Sequence, residues 1–156
     1  MPILNSTKLF DITSEKQYAI PSLDISGGNI DILHAIFSVL EERKFTAFIS
    51  STPESIENYY GINSYIDIIN QVASNYNVDF AIHLDHATEP DYIFRAINIG
   101  FSSVMYDGSS LLLNENIDIT KDIVSEAKKN NISVEAELGI IGGNEDEIIF
   151  EKSLIP

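Results

Sequence analysis

Asp79-Phe80-Ala81-Ile82-His83-Leu84 is a short β-rich run that delivers Asp85 and His86 at its carboxyl end, and the same kind of run recurs along the chain. Candidate strands of this type occupy Tyr18 to Leu23, Thr46 to Ser50, Ser102 to Tyr106 and Ser133 to Leu138. Between them the apolar residues return at helical spacing: Leu33, Ile36, Phe37 and Leu40; Ile66, Ile68, Ile69 and Val72; Ile93 and Ile97; Ile119, Ile123 and Ala127. Asn29 can cap the first of these helices, and Glu89-Pro90 stands where a helix start tolerates proline. Thr52 to Tyr60 reads as an extra turn or short helix. Five strands alternating with four connecting helices is the sequence form of a parallel βα architecture.

Right-handed βα units build either a doubly wound sheet or a closed barrel. The first strand, turn and helix carry Asp24-Ile25-Ser26-Gly27-Gly28, which lacks the third glycine and the spacing of a dinucleotide fingerprint. The expectation is therefore an α/β chain of the (β/α)8 TIM barrel type. A complete barrel takes about 250 residues, so residues 1–156 are expected to supply about the first five strands. The predicted object is a partial barrel, the N-terminal part of a single barrel domain, arising either as a fragment or by truncation.

Composition sets the partner classes. Apolar residues make up 44% of the chain and charged residues 21%, which suits one globular unit with a substantial core. Lys plus Arg number 9 against 24 Asp plus Glu, a net charge of −15, and such an acid excess disfavours any surface that neutralises phosphate backbones. Neither nucleic acid nor membrane is expected as a partner. The absence of Cys excludes disulfides and thiolate metal sites and fits a reducing compartment. The start, Met1-Pro2-Ile3-Leu4-Asn5-Ser6-Thr7-Lys8, has no basic region leading into an apolar stretch, and no run reaches the roughly 18 apolar residues of a membrane helix. A cytoplasmic location is expected.

The chemistry gathers at three successive strand ends. Strand three ends in His83-Leu84-Asp85-His86, strand four in Tyr106-Asp107-Gly108-Ser109 and strand five in Glu135-Ala136-Glu137-Leu138-Gly139. Neighbouring strands lie about 4.8 Å apart, so these groups collect on one arc of the barrel mouth, where this fold builds its active sites. The period of two puts Glu135 and Glu137 on one face, with Val134, Ala136 and Leu138 on the other. Two carboxylates aimed at a barrel interior repel each other and are costly to bury without a cation or proton, and a metal is the simplest compensator. Each piece alone has an ordinary reading: Asp107 as a loop or capping residue, His83 as a structural histidine that orients its neighbours, His34 as surface or core filler, and Glu145-Asp146-Glu147 as a charged loop. Their coincidence at three strand ends is what favours a metal site.

Ile82-His83-Leu84-Asp85-His86, then Met105-Tyr106-Asp107-Gly108-Ser109, then Val134-Glu135-Ala136-Glu137-Leu138-Gly139 followed by Gly142-Gly143-Asn144-Glu145-Asp146, resembles the class II, zinc-dependent fructose/tagatose-bisphosphate aldolases. The resemblance runs from about Tyr18 to Glu147. It implies a Zn2+ enzyme that reversibly cleaves a phosphorylated ketose, a ketose 1,6-bisphosphate, into dihydroxyacetone phosphate and glyceraldehyde 3-phosphate. On that resemblance Asp85 matches the proton donor to the C4 oxygen and His86 the first zinc-binding histidine. Asp107 and Glu137 match acids that bind a second or displaced metal position. Glu145 matches the residue that moves the proton at C1 of dihydroxyacetone phosphate, on a loop to which Gly142 and Gly143 give hinge freedom. A homo-oligomer is implied for the full-length form.

The departures from the family pattern define the alternatives. The family takes two further zinc-binding histidines and its glycine-rich phosphate loops from the second half of the barrel, beyond Pro156. One imidazole does not make a catalytic zinc site, which takes three protein ligands, so the chain alone is expected to be inactive. At the end of strand one the family's Phe-Asn-Val-like run is replaced by Leu23-Asp24-Ile25, which sets an added negative charge near a bisphosphate. Asn144 also stands where an acid is common in some members. The competing reading is a truncated non-catalytic relative whose open sheet edges serve as a binding or subunit-association module.

Overall fold

A computed structural model describes residues 3–25, 28–139, 144–145 and 148–149. The elements run α1 (Ser6–Lys16), β1 (Ser22–Asp24), α2 (Ile30–Arg43), β2 (Ala47–Ser51), α3 (Pro53–Tyr59), α4 (Gly61–Ala73), β3 (Phe80–Ala87), α5 (Pro90–Ile99), β4 (Ser103–Tyr106), α6 (Leu113–Lys129), β5 (Ser133–Ala136), β6 (Asn144–Glu145) and β7 (Ile148–Ile149). Strands β1 to β5 form one parallel sheet in sequential order, the strand order of an opened barrel. The short β6 and β7 pair antiparallel in a ladder of their own.

Alternation divides each strand between two surroundings. Ile49, Ile82, Leu84, Val104 and Tyr106 are buried in one cluster with the apolar stripes of the helices, among them Phe37, Ile66, Ile69, Ile93, Ile97 and Ile123. The opposite face carries Ser22, Phe48, His83, Asp85, Ser103 and Glu135 around an open cavity of about 550 Å³. Helix starts follow the expected chemistry: the Asn29 side chain accepts from the backbone N–H groups of Asp31 and Ile32, and Thr52 caps α3 ahead of Pro53.

Three strand boundaries depart from the sequence reading by two residues or more, and one of them is the end of β3, which runs past Leu84 to Ala87. The first strand is only Ser22–Asp24, because its register with β2 begins at Ser22 opposite Phe48; the chain leading in contributes the Pro21 carbonyl, which accepts from Phe48 N–H at 2.9 Å. The fifth stops at Ala136, leaving Glu137 and Leu138 beyond the paired residues. Helix α1 was not expected, since its apolar pattern is too short to stand out; only Leu9 and Thr13 among its described side chains are buried. Its signal is the cap: the Asn5 side chain accepts from Lys8 N–H and donates to the Asn131 carbonyl at 3.0 Å. Ser6 N–H donates to Ser133 Oγ at 2.9 Å and Leu4 N–H to the Phe80 carbonyl at 2.8 Å. Because Phe80 and Ser133 begin β3 and β5, α1 lies across the amino-terminal end of the sheet, opposite the acids and histidines.

Phe80 is 1% exposed and meets Phe37 edge-on at a centroid separation of 4.9 Å, joining strand to helix. Phe80→Ala should cost about 3–5 kcal/mol of stability. Urea unfolding followed by circular dichroism checks it, with the expected result a lower midpoint at unchanged slope.

Candidate metal centre

The site begins with a break in the alternation of β3. Leu84 pairs with Val104 and Ala87 with Tyr106, so three steps along β3 face two along β4. The extra residue is a β-bulge. It is accommodated at His86, whose φ of 45° lies in the left-handed region that side chains other than glycine seldom adopt. Leu84 and Ala87 keep to the buried outer face, while Asp85 and His86 between them both reach the carboxyl end of the sheet. Strict alternation would have sent His86 to the side of Leu84.

His86 Nδ1 lies 3.5 Å from Asp107 Oδ2 and 3.7 Å from Glu137 Oε2. One donor atom from each of the three residues falls within 4.8 Å of the others, and all three side chains are partly shielded from water. Imidazole nitrogen and carboxylate oxygen are donors that zinc accepts, and a tetrahedral ion with bonds of about 2.0–2.2 Å sets its donors roughly 3.3–3.6 Å apart. The donor chemistry and the spacing therefore fit a divalent cation.

Both acids are held by their surroundings. Asp107 divides its oxygens, Oδ1 accepting from Ser109 N–H at 3.0 Å while Oδ2 faces His86. It is at once the loop residue of the ordinary reading and a member of the cluster. The Glu137 backbone is fixed by Asn116, a buried side chain in the first turn of α6 whose Nδ2 donates to the Glu137 carbonyl at 2.8 Å. Thr120 Oγ1 donates in turn to Asn116 Oδ1 at 3.1 Å. Gly108 makes room for that arrangement: a Cβ there would stand 2.6 Å from Asn116 Cγ and Oδ1 and 2.8 Å from Tyr106 Cε1.

Asp85 stands beside the cluster, with Oδ1 4.0 Å from His86 Nε2 and 3.6 Å from His83 Nε2. The His83 imidazole is the main cause that holds its carboxyl below the usual range, against the opposing effect of burial; the charge and the backbone N–H of His86 act in the same direction. At 3.6 Å the His83 contact is longer than a well-formed hydrogen bond, and it acts chiefly through the ring N–H directed at the carboxylate. Glu145 lies in β6, of which the backbone alone is described, and Gly142, Gly143 and Asp146 lie outside the described residues. His34 is remote from the cluster and pairs through Nδ1 with the Tyr76 hydroxyl at 2.8 Å.

The family model for "Fructose-bisphosphate aldolase class-II" matches residues 4–155. The chain belongs to the class II fructose-bisphosphate aldolase family. Among its relatives, a fructose-bisphosphate aldolase of Ureaplasma parvum is 35% identical over 98% of this chain and 52% of its own length. A 6-phospho-5-dehydro-2-deoxy-D-gluconate aldolase of Bacillus licheniformis is 34% identical over 96% of this chain and 51% of its own. The solved structure of the YdjI aldolase from Escherichia coli superposes with a TM-score of 0.78 at 27% identity, over 88% of this chain and 52% of that one. The chain thus spans about half the length of the relatives it matches.

In this class II aldolase chain, the residues missed in the sequence are those that act through the backbone or through other side chains. Asn116 carries no pattern of its own, and Gly108 and Ser109 stand in the strand-four motif without their roles being legible there; a glycine directly after a strand-end Asp was the available sign. Among the described residues no helix is long and apolar enough to cross a membrane.

Gly108→Ala should displace Asn116 and cost about 1–3 kcal/mol of stability, read from the unfolding midpoint. For Asp85 the direction with pH follows from proton counting. A carboxyl held below its unfolded value binds fewer protons when folded, so its stabilisation is present above the ordinary carboxylate range and is lost as pH falls through the folded value. The stability difference between the unmutated chain and Asp85→Asn should accordingly be greatest near neutrality and shrink on acidification, in metal-free unfolding titrations at several pH values.

Proposed function

We propose that the chain is the N-terminal part of a single TIM-barrel aldolase domain that carries out metal-dependent, reversible cleavage of a ketose 1,6-bisphosphate, fructose or tagatose, to dihydroxyacetone phosphate and glyceraldehyde 3-phosphate. The observation that supports the reading best is the convergence of His86, Asp107 and Glu137 beside Asp85 in a chain of this family. His86, Asp107 and Glu137 would hold the ion, with zinc as the metal and further ligands from the second half of the barrel. Bound there, zinc supplies Lewis acidity that stabilises enediolate charge without a Schiff-base lysine.

The residues of this chain then divide the proton transfers. In the cleavage direction the Asp85 carboxylate accepts the proton of the C4 hydroxyl, C4 becomes the aldehyde carbon, and the C3–C4 electron pair passes to the ketone fragment. A carboxyl kept ionised by its imidazole neighbour is in the right state for that transfer. Glu145 returns a proton to the carbon that becomes C1 of dihydroxyacetone phosphate. In condensation both transfers reverse, and Asp85 protonates the new C4 oxygen. Asp24, which ends β1 at the same end of the sheet, makes a second phosphate nearby less favourable. The substrate panel therefore includes ketose monophosphates beside both bisphosphates. The full-length form is proposed to be a cytoplasmic homo-oligomer.

Metal content and turnover test this together. After dialysis the 156-residue chain should retain zinc weakly and the full-length form tightly; stoichiometric, chelator-resistant zinc on the chain alone would show the ligand set to be wrong. In the full-length form Asp85→Ala should keep its zinc while cleavage falls on the order of 10²- to 10⁴-fold, chiefly in kcat. Exchange of the C1 proton of dihydroxyacetone phosphate should fall less. Cleavage of no ketose phosphate by the unmutated full-length protein would replace this reading with that of an association module.

A further inference from the structure

His83 is a buried titratable group that the proton transfers above do not use. It is 4% exposed, on the inner face of β3, and each ring nitrogen meets a different environment. Nδ1 lies 2.8 Å from Ser103 Oγ on the neighbouring strand. Nε2 lies 3.6 Å from Asp85 Oδ1 and 3.7 Å from Glu135 Oε2. Phe48 packs edge-on against the ring at a centroid separation of 5.8 Å and limits its tilt. Ser103 continues the contacts away from the mouth, since its Oγ is 3.4 Å from Ser6 Oγ in the first turn of α1.

Ionised carboxylates only accept hydrogen bonds, so a ring nitrogen between two of them is stable when it carries the proton. In a neutral imidazole Nδ1 is then the acceptor, Ser103 donates to it, and the Ser103 oxygen is left to accept from Ser6. We propose that His83 is a positioning residue: a neutral imidazole fixed by Ser103 in the Nε2–H tautomer, presenting that proton to Asp85 and Glu135 and so aiming the Asp85 carboxylate at its substrate. Glu135 enters with it. Its side chain is 62% exposed, on the same face as Asp85 and sharing the same donor, so a movement of either acid alters the hold on the other. A column of contacts, from Ser6 through Ser103 to His83, ties the orientation of Asp85 at the carboxyl end of the sheet to the helix across its amino-terminal end. Outer partners of this kind fix the tautomer and orientation of catalytic groups elsewhere, and their removal costs about 10- to 100-fold in activity.

The tautomer stands on its own geometry, whereas its effect on turnover rests on the aldolase reading, and two measurements keep them apart. Two-bond 1H–15N correlation spectra of the labelled chain should show His83 with an unprotonated Nδ1 and a protonated Nε2. Ser103→Thr should preserve that state, and Ser103→Ala should mix the tautomers. A proton on Nδ1, as the other tautomer or as imidazolium, overturns the proposal. In the full-length form His83→Gln keeps an N–H at the place of Nε2 and should hold kcat within about tenfold, while His83→Asn keeps only the Ser103 side and should lose about 10- to 100-fold in kcat, with KM changed less than about threefold. Equal losses in the two variants, or no loss in His83→Asn, overturn the positioning role. If the unmutated full-length protein cleaves no ketose phosphate, the aldolase reading fails while the spectra still decide the state of His83.

Discussion

Asp85 and His86 are consecutive in the chain yet both reach the carboxyl end of the sheet, which a regular strand forbids. The single extra residue in β3 permits it, and the left-handed backbone at His86 is the cost, of the order of 1–3 kcal/mol for a residue other than glycine. Such strain persists where the surroundings over-determine it. Here Leu84 and Ala87 on either side are locked into the buried face against Val104 and Tyr106, so the two residues between them have nowhere else to go. Without the bulge, His86 would share the fate of Leu84, and Asp107 and Glu137 would face each other without an imidazole between them.

The acids in turn depend on groups chosen for space rather than charge. Gly108 lets Asn116 approach the turn after β4, and Asn116 fixes the backbone of Glu137 past the end of the paired part of β5. Asp107 spends one oxygen on its own turn and leaves the other for His86. A cluster of two carboxylates and one imidazole is electrostatically unbalanced, and a divalent cation is the natural complement.

The two histidines of β3 divide the work by depth. His83 sits within the sheet, its Nδ1 bound to a serine of the next strand, and its free end faces acids. His86 sits one step past the regular ladder, where both of its nitrogens face carboxylates. Asp85 lies between them and feels both, which keeps it ionised below the usual carboxylate range. Helix α1, across the amino-terminal end of the sheet, reaches this chemistry through the hydroxyls of Ser6 and Ser103 and through Phe10, which packs on Phe48 beside the His83 ring.

The parallel order of five strands, the helices between them and the three strand ends that carry the site were legible in the sequence, because hydrophobic period and turn residues are local properties. So was the membership of His86, Asp107 and Glu137 in one arc, since residues at the ends of sequential parallel strands must be neighbours. Helix α1 escaped notice because most of its described side chains stay in water and its place is set by bonds to Asn131, Ser133 and Phe80, all remote in sequence. The bulge escaped for a similar reason: nothing in Leu84-Asp85-His86-Ala87 marks an extra residue, which exists only relative to the pairing with β4. The chain alone thus determined which groups meet at the carboxyl ends of the strands. Only tertiary structure decided which way His86 points, which partner holds Glu137, and that His83 bridges Ser103 to two acids, because register and contact between strands are relations that no single segment encodes.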